Sequence, residues 1–366
     1  MIEKGKISSS QLAKMMYLAI IPTAILTSPG ITYRYARQDL WISPLWAFTG
    51  VIVVLVMLRL YRLFPKYNLV QIWEHAVGRI AGKTIGAIYW IFYLYINSVI
   101  VREYGEFVVG SFLLNTPFIV LLGSMVLVCA MAVRGGVEIV GRFADLFLPA
   151  FLILFLLIIV SIIPDLNIAQ MLPVMGEGVM PSITGAFVLQ LWLSELATVS
   201  FLLPYVNDQH RAGYSIWMTL VAIIFTLLVS NLITLLLLGN LTGSYTFPFL
   251  ILARYINLQE FFTRLESLFM AIWVLCAFVK ICVFYYVTVI GAAQWMGLSD
   301  YRPIVWPLGF LLTVFSFWVA PNYQEMAHAI STSIVFAMLT MFLVLPVILL
   351  CIVSLKQRWK ADEIPK

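Results

Sequence analysis

Two ionisable side chains stand where such groups are costly. Glu195 sits near the middle of GAFVLQLWLSELATVSFLLPYV, Gly185 to Val206, and Lys280 sits inside the apolar stretch Leu268 to Met296. A charged group at membrane depth costs at least ~2.5–3.5 kcal/mol, so it turns inward to a partner, a cavity or a ligand path. A carboxylate there can face a ligand amine or carry a proton; the plainer alternative is a structural carboxylate met by a neighbouring helix. Ser194, Thr198 and Ser200 lie beside it, and hydroxyls of this kind take over backbone groups freed where a helix opens. An ammonium at the depth of Lys280 deprotonates, pairs with a carboxylate such as Glu195, or is coordinated by backbone carbonyls that a kinked helix frees. It then serves as a tethered cation holding helices together, against the alternative of a long side chain reaching for the surface.

The elements that must position these groups are long apolar segments. Ten can be counted, against the ~20 residues needed to cross the hydrocarbon. They run Leu12 to Tyr35, Pro44 to Leu63, Ile85 to Leu114, Pro117 to Val133, Phe147 to Ile163, Gly185 to Val206, Ile216 to Leu238, Leu268 to Met296, Val305 to Val319 and Ile330 to Leu355. They read as helices, because the alternation of a membrane barrel is absent. Between the second and third, FPKYNLVQIWEHAVGRIAGK reads as a short amphipathic helix at the membrane surface, with Gly78 near its end and His75 solvated.

Two spans carry irregularities. Pro22 in mid-span 1 removes a backbone hydrogen bond, Thr23, Thr27 and Ser28 offer local oxygens, and Pro29-Gly30 follows. This predicts either a plain proline kink or an unwinding that binds a ligand. Span 6 carries Ser194-Glu195 and then Pro204. Interrupted helices opening two halves of five spans each point to an inverted-repeat transporter fold with a site between the breaks. Span 3 adds Tyr93, Asn97, Arg102, Glu103 and Glu106. Asn97 reads as a ligand contact or an interhelical hydrogen bond, and Arg102 with Glu106, four apart, as an interfacial ion pair or part of an outer gate.

Composition bounds the function classes. The 366 residues are 63% hydrophobic and 11% charged, which predicts an integral membrane protein with residues 1–366 as a single membrane domain. The net charge of +5 does not point to nucleic acid, because the basic residues fall in short clusters between spans. Sixteen of the 22 Lys and Arg residues, Lys4, Lys6, Arg134 and Lys356 among them, collect on one side, and Arg34, Arg37, Arg102, Arg254 and Arg264 on the other. That asymmetry predicts both termini in the cytoplasm. Lys4, Lys6 and Lys14 frame a first span that is retained, since no small-residue cleavage site follows it. Cys129, Cys276, Cys282 and Cys351 lie in apolar spans and read as packing residues. No nucleophile elbow or phosphate-binding loop occurs, and His75, His210 and His328 are scattered, so no enzyme chemistry, metal or cofactor is expected.

Four stretches together resemble a known family: SSSQLAKMMYLAIIPTAILTSPG at the N-terminus, GRFADLFLP from Gly141 to Pro149, ELATVSFLLPYV from Glu195 to Val206, and RLESLFMAIWVLCAFVK from Arg264 to Lys280. In this order they are similar to the B subunits of nutrient germinant receptors, the spore germination permeases of the amino acid-polyamine-organocation superfamily. The resemblance implies an all-α, ten-transmembrane-helix fold of the leucine-transporter class, a 5+5 inverted repeat with helices 1 and 6 interrupted. It implies a small germinant, commonly an amino acid, bound between spans 1, 3, 6 and 8. It also implies work in the spore inner membrane beside a larger A-type subunit and a C-type lipoprotein, sensing the nutrient rather than accumulating it. The expected ligand-binding set is Pro22, Thr23, Ala24, Tyr93, Asn97, Leu193, Ser194 and Glu195, with Glu195 and Lys280 in ion or proton coupling. The chain departs from the family pattern where glycine is usual, with Pro22-Thr23 in span 1 and Ser194 in span 6. The competing reading is a proton-coupled amino-acid transporter acting alone; a membrane scaffold leaves Glu195 and Lys280 without purpose.

Overall fold

In lipid every backbone polar group needs an internal partner, and an apolar chain without barrel alternation meets that demand with helices. The computed structural model describes residues 3–257 and 265–362, and the named elements within them are all helical. Arg264 and Lys366 lie outside the described residues. In order they are α1 Ser9–Ala36, α2 Phe48–Leu63, α3 Leu69–Val77, α4 Arg79–Ser111, α5 Phe118–Arg134, α6 Val137–Ile162 and α7 Met180–Ser194. A 3-10 turn, Glu195–Thr198, follows α7 and leads into α8 Val199–Leu202, then α9 Gln209–Leu238, α10 Pro248–Asn257, α11 Leu265–Met296 and α12 Arg302–Trp318. The last stretch is α13 Tyr323–Ala329, α14 Val335–Leu339 and α15 Leu345–Asp362, joined by π-helical turns at Ile330–Ile334 and Thr340–Val344.

Among the described residues, eight helical stretches are long and apolar enough to cross a membrane. They cover the expected spans except the fourth and ninth, where α5 and α12 are apolar helices of 17 residues each. The surface helix between spans 2 and 3 is α3, opened by an Asn68–Gln71 capping box and closed by Gly78 at φ +91°, a conformation that suits glycine. A Cβ on Gly82 would stand 2.4 Å from the Cα of Glu74, so glycine there lets α4 fold back tightly on α3. The helix α10 was not anticipated.

The first span is not unwound at Pro22. Helix α1 runs unbroken through both Pro22 and Pro29. Pro22 removes the donor that would meet Leu18 O, and beside it Thr23 Oγ1 donates to Ile20 O and Thr27 Oγ1 to Thr23 O, each at 3.3 Å. Neighbours on several sides, α9, α7, α11 and α6, clamp it, which makes α1 the buried central strut of the bundle. Span 6 does change, but into a tighter helix rather than a gap: α7 gives way to the 3-10 turn at Glu195, whose φ and ψ of −57° and −20° stay helical.

Both described ends of the chain lie at one end of the bundle. There Ile7 N donates to Tyr205 O at 3.0 Å, Asn207 N donates to Ile7 O at 2.9 Å, and Lys356 Nζ donates to Ala76 O at 2.5 Å. This termini end also gathers the loops around Arg134, Asp208 and Tyr301. The far end carries Arg34, Arg37 and Arg254.

Candidate functional site: a buried ion pair beside a small cavity

The two groups singled out by the sequence meet. Helix α11 delivers Lys280 and the start of the 3-10 turn delivers Glu195, and Lys280 Nζ stands 2.9 Å from each Glu195 carboxylate oxygen. Its third proton goes to Thr23 Oγ1 of α1, also at 2.9 Å. An ammonium has three N–H donors, so this one is fully committed. Glu195 is 2% exposed and Lys280 1%. Stripping two charges of water costs several kcal/mol per ion, and only bonded geometry of this quality offsets it. The network ties spans 1, 6 and 8 at one point.

Beside the pair lies a cavity of about 30 Å³, room for roughly two waters. Helix α4 lines it with Ile96, Val99, Ile100 and Glu103, the i, i+3, i+4, i+7 face. Leu191 and Trp192 come from α7, and Ile330, Ile334 and Met338 from the π turn and α14. A π turn displaces side chains from the regular helical register, and such turns recur at functional sites. On the termini side the cavity is shut by rings: Tyr93 lies 5.3 Å from Phe201, 6.1 Å from Phe284 and 5.1 Å from Phe342, centroid to centroid. Towards the far end a second, polar vestibule of about 270 Å³ is lined by Thr27, Gly30, Arg34, Tyr245, Tyr323 and His328 among others.

The other expected site residues take varied places. Pro22 O accepts a hydrogen bond from Trp273 Nε1 at 2.8 Å, and Ala24 is buried in the core. Tyr93 donates to Thr198 Oγ1 at 3.3 Å within the ring plug. Ser194 Oγ donates to its own helix at Leu191 O, and Leu193 packs on Gly50 of α2. Asn97 is fully buried, and neither its Oδ1 nor its Nδ2 has a hydrogen-bond partner. Of the expected set, only Glu195 and Lys280 line the cavity, and Thr23 reaches it through Lys280. The structure adds Glu103, Trp192 and the span-10 residues. The helical spacing of Ile96, Val99, Ile100 and Glu103 was the signal for the first; the π turns left none.

Arg102 and Glu106 do pair, Nη2 to Oε1 at 2.6 Å, and Arg102 is buried. It also reaches Pro321 O at 3.4 Å and lies 4.7 Å from the Phe118 ring centroid. A further polar cluster, unforeseen because it begins at the third residue, closes the termini end. Buried Glu3 accepts from Tyr301 Oη at 2.8 Å, Gly5 N at 2.7 Å and Val137 N at 3.3 Å. Burial first, and then the adjacent Glu3 carboxylate, push the Tyr301 hydroxyl above its ordinary range.

Comparison with known proteins places this architecture. The family model described as "Spore germination protein", the spore permease family, matches residues 6–324. The chain belongs to the spore permease family. Its relatives include spore germination protein KB of Bacillus subtilis (strain 168), 26% identical with 88% of each chain covered. Spore germination protein YndE of the same strain is 22% identical over 97% of this chain and 98% of its own. The match reaches every cavity-lining helix up to α13, so this spore permease-family chain is an integral membrane protein related to germination proteins, with the ion pair inside the matched region.

Proposed function

We propose that the chain is the membrane subunit of a spore nutrient germinant receptor. It binds a small germinant such as an amino acid beside Glu195 and Lys280 and signals to an A-type subunit and a C-type lipoprotein in the spore inner membrane. The observation that carries this reading is the buried Lys280–Glu195–Thr23 network on the wall of a cavity of about 30 Å³, too small for a nutrient molecule. Admitting a ligand requires the helices around that knot to move apart. Binding is thereby coupled to a change of conformation, and a ligand shifts such an equilibrium only by its differential affinity for the two states. The vestibule supplies the approach, since rings close the opposite side.

The same reading takes the chain as one membrane domain, residues 1–366, with ten crossings in two halves of five. Three features support it: both described ends lie together, α5 and α12 fall at the positions of spans 4 and 9, and helix type changes at Glu195. Helix 1 contributes an unbroken strut rather than an interruption. The charge asymmetry places the termini end in the cytoplasm. No catalytic step is assigned.

A family described as permeases also favours a proton-coupled transporter acting alone. Reconstituting the purified protein with labelled amino acids, sugars and nucleosides under an imposed proton gradient separates the two. Saturable binding without uptake is expected. Concentrative uptake that disappears in Lys280→Met would install the transporter.

A further inference from the structure

Two carboxylates face the cavity, and only one is accounted for. Both Glu195 oxygens accept from Lys280, whereas Glu103 is 6% exposed, lines the cavity, and makes no hydrogen bond or ion pair among the described residues. Its neighbours cannot serve it. Arg102, one residue away, is turned to Glu106 and Pro321, and the three protons of Lys280 are committed. The rest of the wall is Ile96, Val99, Ile100, Leu191, Trp192 and the span-10 side chains, none of which carries charge. Lys280 lies within electrostatic reach of Glu103, but its donors are spent on Glu195 and Thr23, so Glu103 is the carboxyl on this wall that lacks a hydrogen-bonding partner among the described residues.

An unpaired buried carboxyl either holds a proton or receives a cation. We propose that Glu103 receives the ammonium group of the ligand, and that this site selects small molecules carrying a primary ammonium on an apolar body. The inference rests on the reading that the germinant binds in this cavity. A ligand carboxylate finds no free donor on Lys280 without displacing Glu195 or Thr23, so the ammonium is the obligatory feature and the carboxylate is dispensable. Neutral sugars and nucleosides would leave Glu103 unmatched. The ammonium approaches from the vestibule, where Tyr323 lies within electrostatic reach of both Glu103 and Arg34.

The test uses the full chain in lipid nanodiscs and a panel of the twenty amino acids, simple alkylamines, sugars and nucleosides, read by calorimetry. For each binder, the analogue with hydroxyl in place of ammonium is measured beside it. The expected result is that binders all carry an ammonium, that the hydroxyl analogue binds about 30-fold or more weakly, and that Glu103→Gln weakens the ammonium ligand by a similar factor. Glu103→Asp, which keeps the charge on a shorter arm, retains measurable binding, and melting of both variants at or above the wild-type temperature excludes misfolding. An ammonium ligand whose affinity is indifferent to Glu103→Gln, or a sugar or nucleoside binder, overturns the proposal while leaving the cavity as the germinant site. Binding by nothing in the panel, in wild type and with partner subunits added, removes that reading and the proposal with it.

Discussion

Glu195 and Glu103 share a cavity wall and are almost equally buried, yet one accepts two hydrogen bonds from Lys280 and the other makes no hydrogen bond or ion pair among the described residues. The contrast separates two uses of a carboxylate at membrane depth. Glu195 is a tie: with Lys280 and Thr23 it fastens three spans, and its charge is cancelled internally. Glu103 is a vacancy in charge terms, and an uncompensated charge is where a ligand gains most by arriving. Burial alone does not mark a binding group; burial without a partner does.

Breaking the tie should have the largest effect. Lys280→Met leaves two bare carboxylates on one cavity, and removing one member of a buried pair costs about 3–5 kcal/mol. The variant should melt far below wild type in detergent and give no nutrient response, while Lys280→Met with Glu195→Gln recovers most of the melting temperature. A single variant as stable as wild type would show that Lys280 does not compensate Glu195.

The second prediction sharpens the contrast by its sign. Glu195→Gln should destabilise the unliganded protein, whereas Glu103→Gln should stabilise it, by about 1–3 kcal/mol, because it removes an unsatisfied buried charge. Denaturant midpoints for the two variants measured without ligand check this; shifts in the same direction would erase the distinction.

Smaller still is Thr23→Val, which keeps the shape of the side chain and takes away one of the three acceptors on Lys280. A loss of about 1.5 kcal/mol is expected, the scale of one hydrogen bond to a charged group. Equal loss in a Lys280→Met background would mean that Thr23 acts through α1 packing rather than through the ammonium.

The smallest effect lies outside the membrane, at the termini end. Ser9 Oγ and Ser9 N donate to the two Asp208 oxygens, each at 2.6 Å, and the Ser9 hydroxyl is the main cause holding that carboxyl below its usual 3.8. A carboxyl lowered by folding adds stability that is complete above its unfolded value and is lost as pH falls through the lowered folded value. Ser9→Ala should therefore leave a shallower decline in melting temperature below pH ~4 and little change at neutral pH. An identical acid profile would show that the hydroxyl contributes nothing.

The tie was legible in the sequence and the vacancy was not, for a physical reason. Glu195 and Lys280 each stand alone in an apolar run, where cost alone demands an explanation. Glu103 sits between Arg102 and Glu106, and the four-residue spacing of those two draws the reading to an interfacial pair and leaves Glu103 without a role. Only the three-dimensional fold reveals that Arg102 turns to Glu106 and leaves Glu103 to the cavity. The helical periods carried the spans and α3, because burying apolar surface and satisfying backbone groups leave few choices. They misplaced the break in span 1, since whether Pro22 opens a helix depends on the clamp of α7, α9 and α11 around it. The π turns of span 10 follow from packing between distant segments, which no local pattern encodes.

The most direct test of this division is a pair of double-mutant cycles in one preparation, Glu195→Gln with Lys280→Met and Glu103→Gln with Lys280→Met, read as unfolding free energies without ligand. The account predicts a coupling of about 2–3 kcal/mol for the first pair and less than about 0.5 kcal/mol for the second. Equal couplings, or a larger one for Glu103, would show that Lys280 serves both carboxylates and that the cavity holds no unmatched charge for a ligand to meet.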